Sequence, residues 1–246
     1  MPTHQRANVN GLAMLYADCH LRFVRWAFAR FYREFAWIYD AVAWLVSRGL
    51  WHRWTLAALP YLDGRVLELG CGTGFVQHAL AAGYAGQVVG IDASPQMLAL
   101  TRRRLRRPRL HSQLLRTIAQ ALPFRADQFD SVLATFPSEY ILDPATLREV
   151  QRVLTSTGRL IIVDGAQFTT DDWYVHVVDL AYRLIWQRPV RNGSDDTVSA
   201  YCSWLERAGF CMTHVYCETV GPSQVLVVVG QKSSSGDGEG VANKTR

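Results

Sequence analysis

Along this chain the apolar positions change period several times, and each change predicts an element. Over residues 12–59 they recur at helical spacing, at Leu21, Val24, Phe28, Phe31, Phe35, Ile38, Val42 and Leu45. Arg22, Arg25, Arg30 and Arg33 interrupt that run, so it is too charged for a membrane-spanning helix. Gly49 is placed to close one helix, residues 51–59 make another, and residues 60–64 (Pro-Tyr-Leu-Asp-Gly) turn into a strand. From there short apolar runs alternate with amphipathic stretches. Strands are expected at 66–69, 87–91, 131–136 and 160–163, and helices at 75–82, from Pro95 onward, at 144–154 and at 198–208. Ser94 and Asp143 stand as N-caps, each with a proline at the first helical position. The run 160–163 is wholly apolar, as a strand buried on both faces should be. Residues 211–220 and 224–229 flank Gly221-Pro222 and predict a closing hairpin. Strands alternating with helices imply right-handed βα units and a parallel sheet. The hairpin adds an antiparallel edge, where a dehydrogenase fold would end on another parallel strand.

Composition narrows the class. With 246 residues, 49% of them hydrophobic, the chain suits one α/β domain with an added segment. We expect a helical cap over 1–58, a ligand-binding domain over 59–232 and a disordered polar tail over 233–246. Five cysteines (Cys19, Cys71, Cys202, Cys211, Cys217) without a C-x-x-C pair argue against a disulfide framework or a zinc site, and for a reducing cytoplasmic setting. Residues 1–10 are polar and lack the apolar run of a signal peptide. The net charge of +5 is local: without Arg102, Arg103, Arg104, Arg106, Arg107 and Arg109 it becomes 5 − 6 = −1. These arginines continue the helix that starts at Pro95, and Pro108 is expected to stop it. Cations suit a helix C-terminus, so a solvated helix face is the simpler reading. Phosphate contact is the other, but no stacking aromatics are interleaved there.

The chemistry concentrates after the first strand. Glu68-Leu69-Gly70-Cys71-Gly72-Thr73-Gly74 ends a strand in three closely spaced glycines, and the next strand ends on Asp92, 22 residues beyond Gly70. Bare backbone lets a ligand lie against the chain, and an acid about 20 residues on can accept from both ribose hydroxyls. The pairing predicts an adenosine-containing cofactor in a doubly wound sheet. A dinucleotide fingerprint requires glycine at position 75, where Phe75 stands, and no Gly-Lys-Ser/Thr follows for a P-loop.

This loop resembles motif I of the class I S-adenosylmethionine-dependent methyltransferases. Residues 90–98 (Gly-Ile-Asp-Ala-Ser-Pro-Gln-Met-Leu) resemble the family's second motif. Leu122-Pro123-Phe124 followed by Phe129-Asp130 resembles its third, and residues 147–163 its next helix and fifth strand. The resemblance covers about residues 59–232 and lies closest to small-molecule enzymes such as ubiquinone and menaquinone C-methyltransferases. It implies a Rossmann-like, doubly wound, seven-stranded, mostly parallel sheet, S-adenosyl-L-methionine as cofactor, and a small-molecule acceptor covered by leading helices. Tyr39-Asp40 resembles the family's Tyr-Asp pair in that leading segment.

Residue roles follow from the resemblance and from the rule that ligands sit at the carboxyl ends of parallel strands. Gly70, Cys71, Gly72 and Gly74 would carry the methionine part on backbone, and Glu68 would answer its ammonium. Asp92 would hold the ribose beside Ala93, and Met97 and Leu122 would face the adenine with Gln120 and Ala121. One position departs from the family: where many relatives place an adenine-binding Asp, this chain has Ile118. Glu139, Tyr140, Tyr39, His176 and Asp164 are candidate bases near the mouth, none fixed by a motif. His78 is read as structural, and no metal-ligand spacing occurs. Residues 168–197, with Trp173, Tyr174, His176, Tyr182 and Trp186, are expected to build the acceptor pocket or to pack as an amphipathic helix. A nucleic-acid methyltransferase is the alternative, weakened because Thr135-Phe136-Pro137-Ser138 lacks the Asn/Asp-Pro-Pro-aromatic signature of base methylation. A non-catalytic cofactor-binding module is the other, favoured only by Ile118. Peripheral membrane contact through residues 23–54 would be compatible with an apolar acceptor.

Overall fold

The computed structural model describes residues 43–106, 112–169 and 195–233, all of them in the unit formed by residues 43–246. The leading region up to residue 42 with Tyr39-Asp40, most of the aromatic stretch 168–197 with His176, and the tail after Ser233 lie outside the described residues.

The elements follow in the expected order. A short helix α1 (Trp51–Thr55) runs into a 3-10 turn (Leu56–Tyr61). Then come β1 (Val66–Leu69), α2 (Phe75–Gly83), β2 (Val88–Asp92), α3 (Pro95–Arg104) and β3 (Gln113–Arg116). After them lie β4 (Phe129–Thr135), α4 (Pro144–Val153), β5 (Leu154–Phe168), α5 (Asp195–Arg207), β6 (Phe210–Val220) and β7 (Ser223–Lys232). The sheet runs β3-β2-β1-β4-β5-β7-β6. The first five strands pair in parallel, and β7 joins β5 and β6 antiparallel. The doubly wound, mostly parallel sheet with an antiparallel hairpin edge is the architecture expected. The order reverses between β1 and β4, and the crevice above that point is where ligands bind in such sheets.

Local chemistry explains the helix starts. The Ser94 hydroxyl accepts from the Met97 N–H (3.3 Å), and the Asp143 carboxylate accepts from the Ala145 N–H (2.9 Å). Each cap satisfies a helix-terminal donor that otherwise lacks a partner. Three expectations change. Helix α3 ends at Arg104, four residues before Pro108, so the arginine run leaves the helix before proline can act. Residues 56–61 tighten into 3-10 geometry, because Pro60 has no N–H to continue an α-helix. β5 spans 15 residues where four were expected. It starts earlier, with Leu154 paired to Phe129 of β4, and at its carboxyl end it pairs with β7 out to Phe168–Ser223, beyond the last β4 pair, Thr135–Val163.

Both sheet faces are covered. On one, Leu67, Leu69, Val132, Leu160 and Ile162 pack with α4 and α5 through Leu147, Val150 and Leu205. On the other, Val66, Leu133, Ile161 and Val227 pack with α1 and α2 through Trp54, Val76 and Leu80. Residues of β1 alternate between these faces and all are buried, as parallel central strands require. Trp54 Nε1 donates to the buried Ser223 hydroxyl (2.8 Å), which ties α1 to the hairpin tip. Among the described residues no helix is long and apolar enough to cross a membrane.

Candidate functional site

Every cofactor-binding residue expected from the sequence lies within the described residues: Glu68 and Asp92 at the carboxyl ends of β1 and β2, Met97 in the first turn of α3, and the others on the loops that leave β1, β2 and β3. The loop after β1 bends back through left-handed backbone at Gly70, Gly72 and Gly74, with φ of +66°, +53° and +82°. Side chains rarely tolerate such backbone. A Cβ on Gly72 would meet only the Gly70 carbonyl, at 3.9 Å, so this side of the loop faces open space. A ligand can approach there against main chain alone.

Hydrogen bonds from three directions hold the loop in that shape. The Cys71 N–H donates to the Ile91 carbonyl (2.9 Å), joining the loop to the end of β2. The Gly72 N–H donates to Asp92 Oδ2 (2.9 Å), while Asp92 Oδ1 accepts from the Ser94 N–H (2.8 Å). From α3, the Thr101 hydroxyl donates to the Gly72 carbonyl (2.7 Å). From the far side, the Tyr140 hydroxyl donates to the Leu69 carbonyl (3.0 Å). Asp92 is therefore both the acid at the tip of β2 and the anchor of the glycine loop. Two backbone donors leave its carboxylate about two further lone-pair positions, enough for a pair of ribose hydroxyls.

Glu68 sits one layer below. Its carboxylate is buried and accepts from Gln77 Nε2 of α2 (2.6 Å). Gln77 in turn accepts at Oε1 from the Ser112 hydroxyl. Burial pushes the Glu68 carboxyl up to about 7; the Gln77 hydrogen bond opposes this and the Asp92 charge adds to it. Burial also raises Asp92, against the pull of its two backbone donors. Gly90 makes room for the relay, since a Cβ there would stand 2.7 Å from Gln77 Cδ.

On the β3 side the loop that carries Gln120, Ala121 and Leu122 is gripped from α4. Glu149 accepts from the Leu122 N–H (2.8 Å), and Arg152 donates to the carbonyls of Leu122 and Phe124 (2.9 and 2.7 Å). The two clamp residues pair with each other as well, at 2.7 Å. Gln120 Nε2 donates to the Asp143 carboxylate (3.2 Å), so its amide is turned toward the cap of α4. Met97 and Leu122 are buried, while Ala93 and Ala121 are exposed. Ile118 is 52% exposed at the rim. With the adenine against this loop, as the sequence resemblance implies, an acid at Ile118 would give its amine an acceptor. Ile118→Asp is expected to tighten S-adenosylhomocysteine binding by about 2–10-fold, and calorimetry checks it; an unchanged affinity would place the adenine elsewhere.

The base candidates separate. Burial raises the Tyr140 phenol far above its ordinary value and its hydroxyl is committed to Leu69, so this residue latches the loop and does not take protons. Asp164 lies on β5 and Glu139 at the start of the 3-10 turn Glu139–Leu142. Tyr39 and His176 lie outside the described residues. Cys71 is buried and its thiol is pushed well up, chiefly by desolvation, which suits a small filler and not a nucleophile. Among the described residues no cluster of His, Cys, Asp and Glu could hold a metal ion. Beyond the motifs, Gln77 and Thr101 emerge as supports of the site. Their only sequence signal is a polar residue on the inward stripe of an amphipathic helix.

An adenosyl cofactor fits these residues: an open backbone face at Gly72, an acid with spare acceptor capacity beside it, and a rigid apolar loop over β3. Comparison with known proteins points the same way. A family described as "Methyltransferase domain" matches residues 66–158. The chain is 30% identical over 164 residues to the 2-phytyl-1,4-naphtoquinone methyltransferase of Trichormus variabilis, covering 60% of this chain and 72% of that protein. It is 34% identical over 137 residues to the ubiquinone/menaquinone biosynthesis C-methyltransferase of Syntrophotalea carbinolica. That match covers 53% of this chain and 58% of the relative, so the chain spans less than two thirds of its length. Among solved structures, a SAM-dependent methyltransferase of Thermotoga maritima, described as a possible histamine N-methyltransferase, superposes with a TM-score of 0.57 at 20% identity. The superposition covers 83% of this chain and 99% of that one.

Proposed function

The chain belongs to the class I S-adenosylmethionine-dependent methyltransferases, and from that premise we propose that it methylates a small acceptor with an apolar, aromatic ring of the quinol or phenol kind. The observation that carries the cofactor half is the bond from the Gly72 N–H to Asp92, which joins the bare-backbone loop to the ribose acid in one rigid unit. Support for the acceptor half comes from the two quinone-related relatives and from the aromatic wall at the end of β4. There Phe136 stacks on Trp51 with ring centroids 4.5 Å apart. Phe136 holds a φ of +44°, a strained backbone that persists only where its surroundings impose it and that clusters at functional sites.

When bound, S-adenosylmethionine supplies a methyl group on positively charged sulfur, an electrophile that needs no further activation. The chain's own residues position. Asp92 orients the ribose, the loop fixes the methionine part, and Tyr140 and Thr101 prevent the loop from yielding. Holding two reactants in line lowers a barrier by up to roughly 7–11 kcal/mol in favourable cases. Of the arginine run, Arg104 lies over the Phe75 ring at 3.3 Å, a use internal to the fold, and Arg102, Arg103 and Arg106 are exposed, as a solvated surface has them.

The test is a methyl-transfer assay with labelled S-adenosylmethionine over reduced naphthoquinones, simple phenols and oligonucleotides, with products identified by mass. Label in the ring of a phenol or hydroquinone is the expected result. Label confined to the oligonucleotides would overturn the acceptor reading.

A further inference from the structure

A second acid–hydroxyl constellation stands beyond the cofactor loop. Asp164 is the first residue of β5 past the end of β4, whose last pair is Thr135 with Val163. There β5 bulges: its register with β7 shifts between Asp164 and Ala166, and Gly165 takes a φ of +53°. Bulges bend a strand and re-aim a side chain, often beside an active site. The Asp164 carboxylate accepts at Oδ1 from the Gly165 N–H (2.8 Å) and at Oδ2 from the Tyr201 hydroxyl of α5. Burial and the neighbouring Asp164 charge raise the Tyr201 phenol well above its ordinary value, so its hydroxyl stays a donor. In the sheet β4 lies between β1 and β5. At one strand spacing each, Asp164 stands about 10 Å along the carboxyl edge from the glycine loop. A molecule placed next to a cofactor over β1 and β4 would meet it.

We propose that Asp164, oriented by the Gly165 N–H and by Tyr201, is the general base for a phenolic acceptor, with Tyr201 as its positioning residue. The assignment rests on the methyltransferase reading above. As the methyl group is transferred, Asp164 takes the acceptor's hydroxyl proton, and the electron pair left on oxygen enriches the adjacent ring carbon. That carbon bonds to the methyl group as the carbon–sulfur bond of the donor breaks and its electron pair returns to sulfur. Loss of the ring proton from the methylated carbon restores aromaticity, and the oxygen regains the proton held by Asp164. One proton leaves per turnover. Positioned general bases contribute about 100- to 10,000-fold.

The experiment uses the full chain with S-adenosylhomocysteine bound and 4-nitrophenol as a chromogenic acceptor probe. Beside a carboxylate a phenol keeps its proton, so bound nitrophenol should titrate about one pH unit or more above the free probe. Asp164→Asn removes the charge and keeps one acceptor oxygen, enough for the Gly165 N–H, while its amide N–H faces the Tyr201 oxygen as a donor, and it should return that titration toward the free value. On the phenolic acceptor found by the methyl-transfer assay it should lower kcat at least about 100-fold with the S-adenosylmethionine KM unchanged. Tyr201→Phe should move the titration part of the way. A titration unmoved by Asp164→Asn, with S-adenosylhomocysteine binding intact, would overturn the base assignment and leave the methyltransferase reading standing. Wild type that binds no S-adenosylhomocysteine would remove that reading first. If Tyr201→Phe shifts thermal stability alone, the hydroxyl is only a pin between α5 and β5, and its positioning role is overturned.

Discussion

Asp92→Ala is expected to weaken S-adenosylhomocysteine binding by about 100-fold or more. Hydrogen bonds to a charged group are worth about 1.5–3 kcal/mol each, and every 1.4 kcal/mol is roughly tenfold in affinity. Losing two ribose contacts therefore accounts for at least about 3 kcal/mol. The variant also deprives the Gly72 N–H of its acceptor, so the loop loses its tie to β2. Asp92→Asn keeps one acceptor oxygen and should fall between the two. Calorimetry checks affinity, and circular dichroism of the free proteins separates a loosened loop from a lost fold. Equal affinity in wild type and Asp92→Ala would place the ribose elsewhere.

Glu68→Gln is expected to act in opposite directions on stability and on binding. In the folded protein the Glu68 carboxyl is pushed up to about 7, against an ordinary value of 4.5 for a solvated glutamate. The native state therefore keeps a proton that the unfolded chain gives up across this window. Stability falls as pH rises from about 4.5 to 7 and is level above it. At about 1.4 kcal/mol per pH unit the full cost is about 3 kcal/mol. Glutamine fills the same space without a charge to desolvate, and its side chain can still meet Gln77. The variant should melt higher than wild type at pH 8, by about 2–4 °C for each kcal/mol recovered, and lose that advantage near pH 4. It should also bind S-adenosylhomocysteine roughly tenfold more weakly, because the carboxylate proposed to answer the ammonium is gone. Thermal melts at the two pH values and calorimetry test both halves. A variant less stable than wild type at pH 8 would mean that the ionised carboxylate is satisfied by more than Gln77.

Most of the sheet was legible because its signals are local. Ser94 and Asp143 cap their helices through contacts two or three residues away, and the apolar runs of β1 and β5 can sit only in a covered interior. Extents were less legible. Nothing between residues 163 and 168 reads as strand, since that stretch holds Asp164 and Gly165; β7 supplies its pairing from about 60 residues on. The arginine run likewise reads as helix by propensity, yet α3 ends at Arg104.

For the candidate site, spacing along the chain was enough to expect the glycine loop and Asp92 side by side, as the Gly72 bond to Asp92 has them. Both lie at the ends of adjacent strands, and their distance in sequence is set by one crossover helix. Tertiary structure alone decided what holds them. The Thr101 bond to Gly72, the Gln77 bond to Glu68 and the Tyr140 bond to Leu69 join elements whose approach no pattern of spacing encodes. The pairing of Asp164 with Tyr201 spans 37 residues and exists only because α5 packs back on the sheet. Backbone propensity and burial act residue by residue and so appear in one dimension. Side-chain partnership depends on distances of a few ångströms between distant parts of the chain, and those exist only once the layers have packed.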